Sequence, residues 1–81
     1  MRDVALLRFF AFARDAAGVG RADIDGRTVG EVLDKAVVQF GPSFAEVLAT
    51  SKVWCNGEPT DRDRVIGATD EVAILPPVSG G

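Results

Sequence analysis

Apolar and polar positions alternate along VALLRFF, residues 4–10. A period of two predicts a strand, with Ala5, Leu7 and Phe9 on one face and Leu6, Arg8 and Phe10 on the other. The charge of Arg8 makes its own face the less buried one. AFARDAA (11–17) suits a short helix ended by Gly18 and Gly20. RADID (21–25) alternates again before Gly26, predicting a second strand paired with the first as a hairpin with a long loop.

TVGEVLDKAVVQF carries the clearest helical period. Val29, Val32, Leu33, Ala36, Val37 and Phe40 fall at i, i+3, i+4, i+7, i+8 and i+11, a single apolar stripe. Thr28 and Glu31 have capping-box spacing, and Gly41–Pro42 stop the helix. Gly30 lowers helix propensity by up to about 1 kcal/mol relative to Ala, which suggests that the first turn approaches a strand closely. SFAEVLA (43–49) predicts a shorter helix with Phe44, Val47 and Leu48 inward. KVWCN (52–56) reads as a strand, Asn56–Gly57 as a tight turn, and Pro59 confines the next segment to an edge or loop. Residues 60–70 are polar, anchored by Val65 and Ile66. EVAIL (71–75) is the last strand, with Val72 and Ile74 on one face, Ala73 and Leu75 on the other, and Pro76–Pro77 ending it.

The order is β-β-α-(α)-β-(β)-β. One amphipathic helix covers one sheet face and leaves the other without a helix. The first and last strands are the most apolar on both faces; if they lie beside each other, they form the sheet centre as a parallel pair joined through the helix. At 81 residues this is one domain. A chain this size buries only roughly 60% of its unfolded surface, so the core is small.

Composition narrows the chemistry. Hydrophobic residues are 47% and charged residues 26%, the profile of a globular domain rather than a disordered one. The start, MRDVALLRFF, shows no long apolar h-region, and no apolar run is long enough to span a membrane. Neither a secretion signal nor membrane attachment is expected. The single cysteine fits a reducing compartment, most simply the cytoplasm. Nine Lys+Arg against twelve Asp+Glu, with no basic run, leave no electrostatic footprint for nucleic acid. The absence of histidine removes the commonest general base and metal ligand, which argues against an autonomous enzyme.

The sequence closes on PPVSGG. A terminal Gly-Gly arises by chance in roughly 0.5% of chains, so alone it is only suggestive, and a frayed end is the plain alternative. Context adds to it, because the segment leaves directly from a central strand. Pro76 and Pro77 hold the start of the segment extended. Val78 and Ser79 give reach, and Gly80 and Gly81 carry no side chain to block a narrow channel. Gly81 also leaves its carbonyl open to attack. A free carboxylate is a poor electrophile. Adenylation by ATP would give it a good leaving group, and a sulfur nucleophile could then displace AMP to leave a thiocarboxylate. The small protein would be the substrate and its partners would supply the catalytic groups.

The stretch CNGEPTDRDRVIGATDEVAILPPVSGG resembles the ubiquitin-like sulfur carriers, most of all the small subunits of molybdopterin synthase. Asn56–Gly57, Asp70–Glu71–Val72 and Pro76 to Gly81 carry the resemblance. RFFAFARDAAG (8–18) and the Thr28–Val29 opening of the helix support it. It implies an α+β, ubiquitin-like β-grasp fold, with a mixed sheet packed on one main helix. A domain over 1–75 would carry a flexible tail over 76–81. It further implies that Gly81 is adenylated by a ubiquitin-activating-like adenylyltransferase, with ATP used by that partner and no cofactor bound by this chain. A sulfurtransferase would supply the sulfur. The tail would insert into the large subunit of molybdopterin synthase, in a heterotetramer with two copies of each subunit. There it would donate sulfur to cyclic pyranopterin monophosphate. On this reading the chain is a sulfur-donating subunit with no active site of its own. Sulfur carriage for thiamine thiazole or cysteine synthesis, a ubiquitin-like modifier, and an interaction domain with an inert tail stay open.

Strand alternation also suggests a docking face. If Val53 and Cys55 point at the core, Trp54 points away, sharing the outer face with Leu6, Phe10, Ala73 and Leu75. An apolar patch of this kind, with Trp and Phe, is a candidate partner interface. Cys55 reads as a small buried thiol rather than the sulfur carrier. Asp61, Asp63, Asp70 and Glu71 read as a solvated loop or as ion pairs with Arg62 and Arg64 rather than as metal ligands.

Overall fold

The computed structural model describes residues 4–77. The expectations for Val78, Ser79, Gly80 and Gly81 therefore lie outside the described residues. In chain order the elements are β1 (Val4–Phe9), α1 (Ala11–Ala17), β2 (Arg21–Asp25), α2 (Val29–Phe40), α3 (Pro42–Ala49), β3 (Lys52–Cys55), β4 (Glu58–Pro59) and β5 (Glu71–Leu75).

The strands form one mixed sheet in the order β2-β1-β5-β3-β4. β1 and β5 are its parallel centre, in register Leu6↔Glu71 through Phe9↔Ile74. All other neighbours are antiparallel. Alternation sorts the faces as the pattern requires. Ala5, Leu7, Phe9, Ile24, Cys55, Val72 and Ile74 are buried against Val29, Val32, Leu33 and Ala36 of α2. The two shorter helices extend this cover, α1 with Ala13 and α3 with the fully buried Phe44. Phe9, Phe40 and Phe44 form a triangle of edge-to-face rings with centroids 5.3–5.6 Å apart. This is the expected β-grasp architecture, with α2 as the main helix and the shorter α1 and α3 beside it on the covered face.

Four details depart from the sequence expectations. Phe10 is not the last residue of β1: it caps α1 in extended geometry, and Ala11 follows at φ 49°, a left-handed turn that ends the strand one residue early. Only half of the Val65–Ile66 anchor is buried; Ile66 is 4% exposed and Val65 76%. The capping box is also one-sided. Glu31 N–H donates to Thr28 Oγ1 at 3.1 Å, whereas the Glu31 carboxylate accepts from the Thr28 hydroxyl rather than from its amide.

The fourth concerns Gly30. Its close neighbour is the loop at Arg62, not a strand. A Cβ on Gly30 would lie 3.1 Å from the Arg62 carbonyl oxygen. That carbonyl accepts from Gly30 N–H at 2.9 Å, and the Arg64 carbonyl accepts from Val29 N–H at 3.0 Å. Loop 60–67 thus satisfies amides that the first turn of a helix leaves open. The Arg62 guanidinium completes the clasp on Gly30 O (3.3 Å) and Asp34 Oδ1 (2.7 Å). Fixing this loop fixes the entry to β5, and so the point where the chain leaves the sheet.

Candidate functional site: the chain exit and the open sheet face

β5 is held on both sides, by β1 and by β3, with Val72 and Ile74 fully buried. Phe10 N–H donates to Ile74 O at 3.3 Å. Pro76 is buried and Pro77 exposed. Pro lacks an N–H, so the ladder stops here and the backbone leaves the sheet from a central strand paired on both sides. Among the described residues this is the base of the expected tail.

The β3–β4 turn and the turn before β5 are fastened to each other. Asn56 (φ 52°) and Gly57 (φ 82°) both take left-handed geometry, as a tight hairpin turn demands. Asn56 Nδ2 donates to Asp70 Oδ1 (2.8 Å), and Asn56 Oδ1 accepts from Glu71 N–H (2.9 Å). Gly67 N–H donates to Asp70 Oδ2 (2.8 Å). The Asn56 side-chain bond, followed by that of Gly67 and by the charge of Arg64, holds the Asp70 carboxyl below its ordinary value. A lowered folded pKa means stability that is present above the unfolded value of about 4 and lost as pH falls through the folded one. Asp70→Asn should therefore be less stable than wild type near neutrality. Urea midpoints measured against pH should converge as wild type is acidified below about pH 4. A gap that stays constant down to about pH 2 would contradict this role.

The sheet face opposite the helices carries the five candidate interface residues. Leu6, Trp54, Ala73 and Leu75 are half-buried, and Phe10 is 38% exposed. Trp54 sits opposite Ala73 on one side and Pro59 on the other. The face is not uniformly apolar. Arg8 Nη1 reaches Glu71 Oε1 at 3.4 Å, and its guanidinium lies 5.5 Å from the centre of the Phe10 ring. Alternation alone identifies these residues as outward; it misses the Arg8–Glu71 pair because that depends on the parallel register of β1 and β5.

Cys55 is fully buried, and burial pushes its thiol up, with Asp70 adding to the rise and Arg64 opposing it. It has the environment of a core thiol. The acidic positions are engaged otherwise than as ligands. Asp61 accepts from Asp63 N–H, Asp70 from Asn56 and Gly67, and Glu71 from Arg8. Arg62 pairs with Asp34, on α2, rather than with an acid of its own loop. Among the described residues no group of three or more His, Cys, Asp or Glu could hold a metal ion, and no helix is long and apolar enough to cross a membrane.

The sheet order, the central helix and the exit from β5 define a ubiquitin-like β-grasp protein. The solution structure of small archaeal modifier protein 1 from Methanosarcina acetivorans shares the fold, with a TM-score of 0.87 at 24% identity over 100% of this chain and 99% of that one. The chain belongs to the ThiS family, whose pattern matches residues 7–81, in agreement with its resemblance to the ubiquitin-like sulfur carriers. A molybdopterin synthase sulfur carrier subunit of Arabidopsis thaliana is 37% identical over 75 residues, 89% of this chain and 77% of that protein. Small archaeal modifier protein 1 of Haloferax volcanii is 36% identical over 85 residues, 91% of this chain and 97% of that protein.

Proposed function

We propose that this protein is the sulfur-carrier small subunit of molybdopterin synthase, working through Gly81. The observation that carries the reading is the family match running through residue 81, from a strand whose exit is fixed on both sides. The 37% identity to a molybdopterin synthase sulfur carrier subunit favours this pathway. The Gly81 carboxylate attacks the α-phosphorus of ATP on an adenylating partner, releasing pyrophosphate. Sulfide-level sulfur delivered by a sulfurtransferase then attacks the carbonyl, displaces AMP and leaves a thiocarboxylate. The tail (Pro76, Pro77, Val78, Ser79, Gly80, Gly81) enters the large subunit, where the sulfur passes to cyclic pyranopterin monophosphate. The chain itself supplies no catalytic side chain and binds no cofactor.

Similarity to a small archaeal modifier protein favours a second reading, in which the activated Gly81 carbonyl is transferred to lysines of other proteins. Co-expression with the activating enzyme and sulfurtransferase of the same genome, followed by intact mass measurement, separates the two. Exchange of one oxygen for sulfur on this chain supports carriage, whereas adducts on other proteins support modification. Rescue of a strain lacking the molybdopterin synthase small subunit tests the pathway.

The outer face, with Leu6, Phe10, Trp54, Ala73 and Leu75, docks the partner and aims the tail. Trp54→Glu should weaken binding to the large subunit by roughly 30-fold or more, the scale of an interfacial hot spot of about 2 kcal/mol. Leu75→Glu should act in the same direction. Both side chains lie outside the buried core, so the melting temperature should change little. Unchanged affinity in calorimetric titration would remove this face from the interface.

A further inference from the structure

The outer face holds a charge arrangement that neither the fold nor the tail chemistry explains. β1 and β2 place Arg8 directly opposite Arg21. The adjoining bond from Phe9 N–H to Gly20 O makes theirs a non-hydrogen-bonded pair, the kind in which opposed side chains lie closest. Both arginines are exposed. Like charges directly opposite one another destabilise a sheet. The chain has twelve Asp and Glu against nine Lys and Arg, yet among the described residues the only ion pair to this couple is Glu71 on the β5 side of Arg8, at 3.4 Å. Asp23, on the same face of β2, stands opposite Leu6 and forms no ion pair with either arginine. The Arg21 side chain makes no hydrogen bond or ion pair among the described residues.

We propose that Arg8 and Arg21 together receive a carboxylate of the adenylating enzyme that activates Gly81, fixing how the domain is set down while the tail reaches ATP. The proposal rests on the activated-tail reading above. Its electrostatic logic is direct. The chain carries a net charge of −3 and must deliver a carboxylate to a site occupied by a polyanion. Attraction elsewhere in the contact has to offset that repulsion, and paired guanidinium groups suit planar two-point recognition of a carboxylate. The register supplies a distance. Across the sheet from Arg8 come Ala73 and then Trp54, so Arg8 and the tryptophan are two strands, about 10 Å, apart. The enzyme should therefore present an acidic side chain about 10 Å from the apolar surface that accepts Trp54.

The test uses the full chain and the ubiquitin-activating-like adenylating enzyme of the same genome, with affinity measured at low salt and at about 0.5 M NaCl. Arg21→Glu should weaken binding roughly 10-fold or more at low salt, and the deficit should shrink at high salt. Lys35→Glu, the same change in net charge on the exposed side of α2, should stay within about 2-fold. The free domain gives a readout of opposite sign. Its melting temperature should rise by about 1–4 °C in Arg21→Glu, because the new carboxylate faces Arg8. Equal losses in Arg21→Glu and Lys35→Glu would reduce the effect to net charge and overturn the proposal. Lost binding with a lowered melting temperature would assign the pair a structural role and overturn it too. If wild type fails to bind the enzyme at either salt, the activated-tail reading falls and takes the proposal with it. Binding by wild type with no loss in Arg21→Glu defeats the proposal alone.

Discussion

Deletion of Gly81 is expected to abolish sulfur loading while leaving the domain as stable as wild type. The deletion still ends on glycine, at Gly80, so it does not change the bareness of the terminus. It changes reach. Removing one residue shortens the reach of the chain by up to about 3.3–3.6 Å. Reacting atoms must come within about 3–3.5 Å of each other, and a misplacement near 1 Å can already slow a reaction roughly 100-fold. Loading by the adenylating enzyme, followed by intact mass, should therefore fall at least about 100-fold. The buried apolar core runs from Ala5 to Ile74, so the melting curve should not move. A Gly81→Ala variant isolates the other demand, an unhindered carbonyl at the correct distance, and should lose less than the deletion. Loading that survives the deletion would mean that the terminus is not the site of activation.

Much of this arrangement is legible in the order of the residues, for identifiable reasons. β1, β5 and α2 carry strong periods, and burial follows period because apolar burial is what drives these segments together. That is why Leu7, Val72, Ile74, Val32 and Leu33 are found where the alternation and the helical stripe put them. The pattern marks β1 and β5 as the most apolar strands on both faces, and the structure pairs them as the parallel centre. The PPVSGG segment is conspicuous for its chemistry rather than its period, and its resemblance to sulfur carriers agrees with the family match.

The features that pattern does not reveal depend on register and on backbone amides. No period shows that the carbonyls of Arg62 and Arg64 cap α2, because the bonds join residues more than thirty positions apart through the main chain. Gly30 is visible as an anomaly in a helix, but its neighbour is known only once loop 60–67 is placed. Val65 and Ile66 are equivalent in the pattern because both are apolar. As an isolated bridge to Thr28 at the helix start, Val65 faces solvent while Ile66 turns inward. The opposition of Arg8 to Arg21 likewise needs the hairpin register, since a one-residue slip would separate them onto different faces.

The largest expected loss of stability lies on the face away from the exit, at Phe44. Its ring is fully buried and packs edge-to-face on Phe9 and Phe40. Phe44→Ala removes that ring and should destabilise the domain by about 3–5 kcal/mol. Folded domains hold roughly 0.05–0.15 kcal/mol per residue, so a domain of this length has about 4–12 kcal/mol in total. The urea transition should shift to much lower concentration, and at the weaker end of that range the variant should be largely unfolded. Phe12→Ala, at a ring 62% exposed, should stay within about 0.5 kcal/mol of wild type and serves as the control. Phe44 belongs to the helical layer, whereas Arg8 and Trp54 occupy the opposite side of the sheet. Sulfur loading per folded molecule should consequently match wild type even as the folded fraction falls. A loss per folded molecule would show that the helical layer shapes the exit from β5, so the two faces would not be functionally separate.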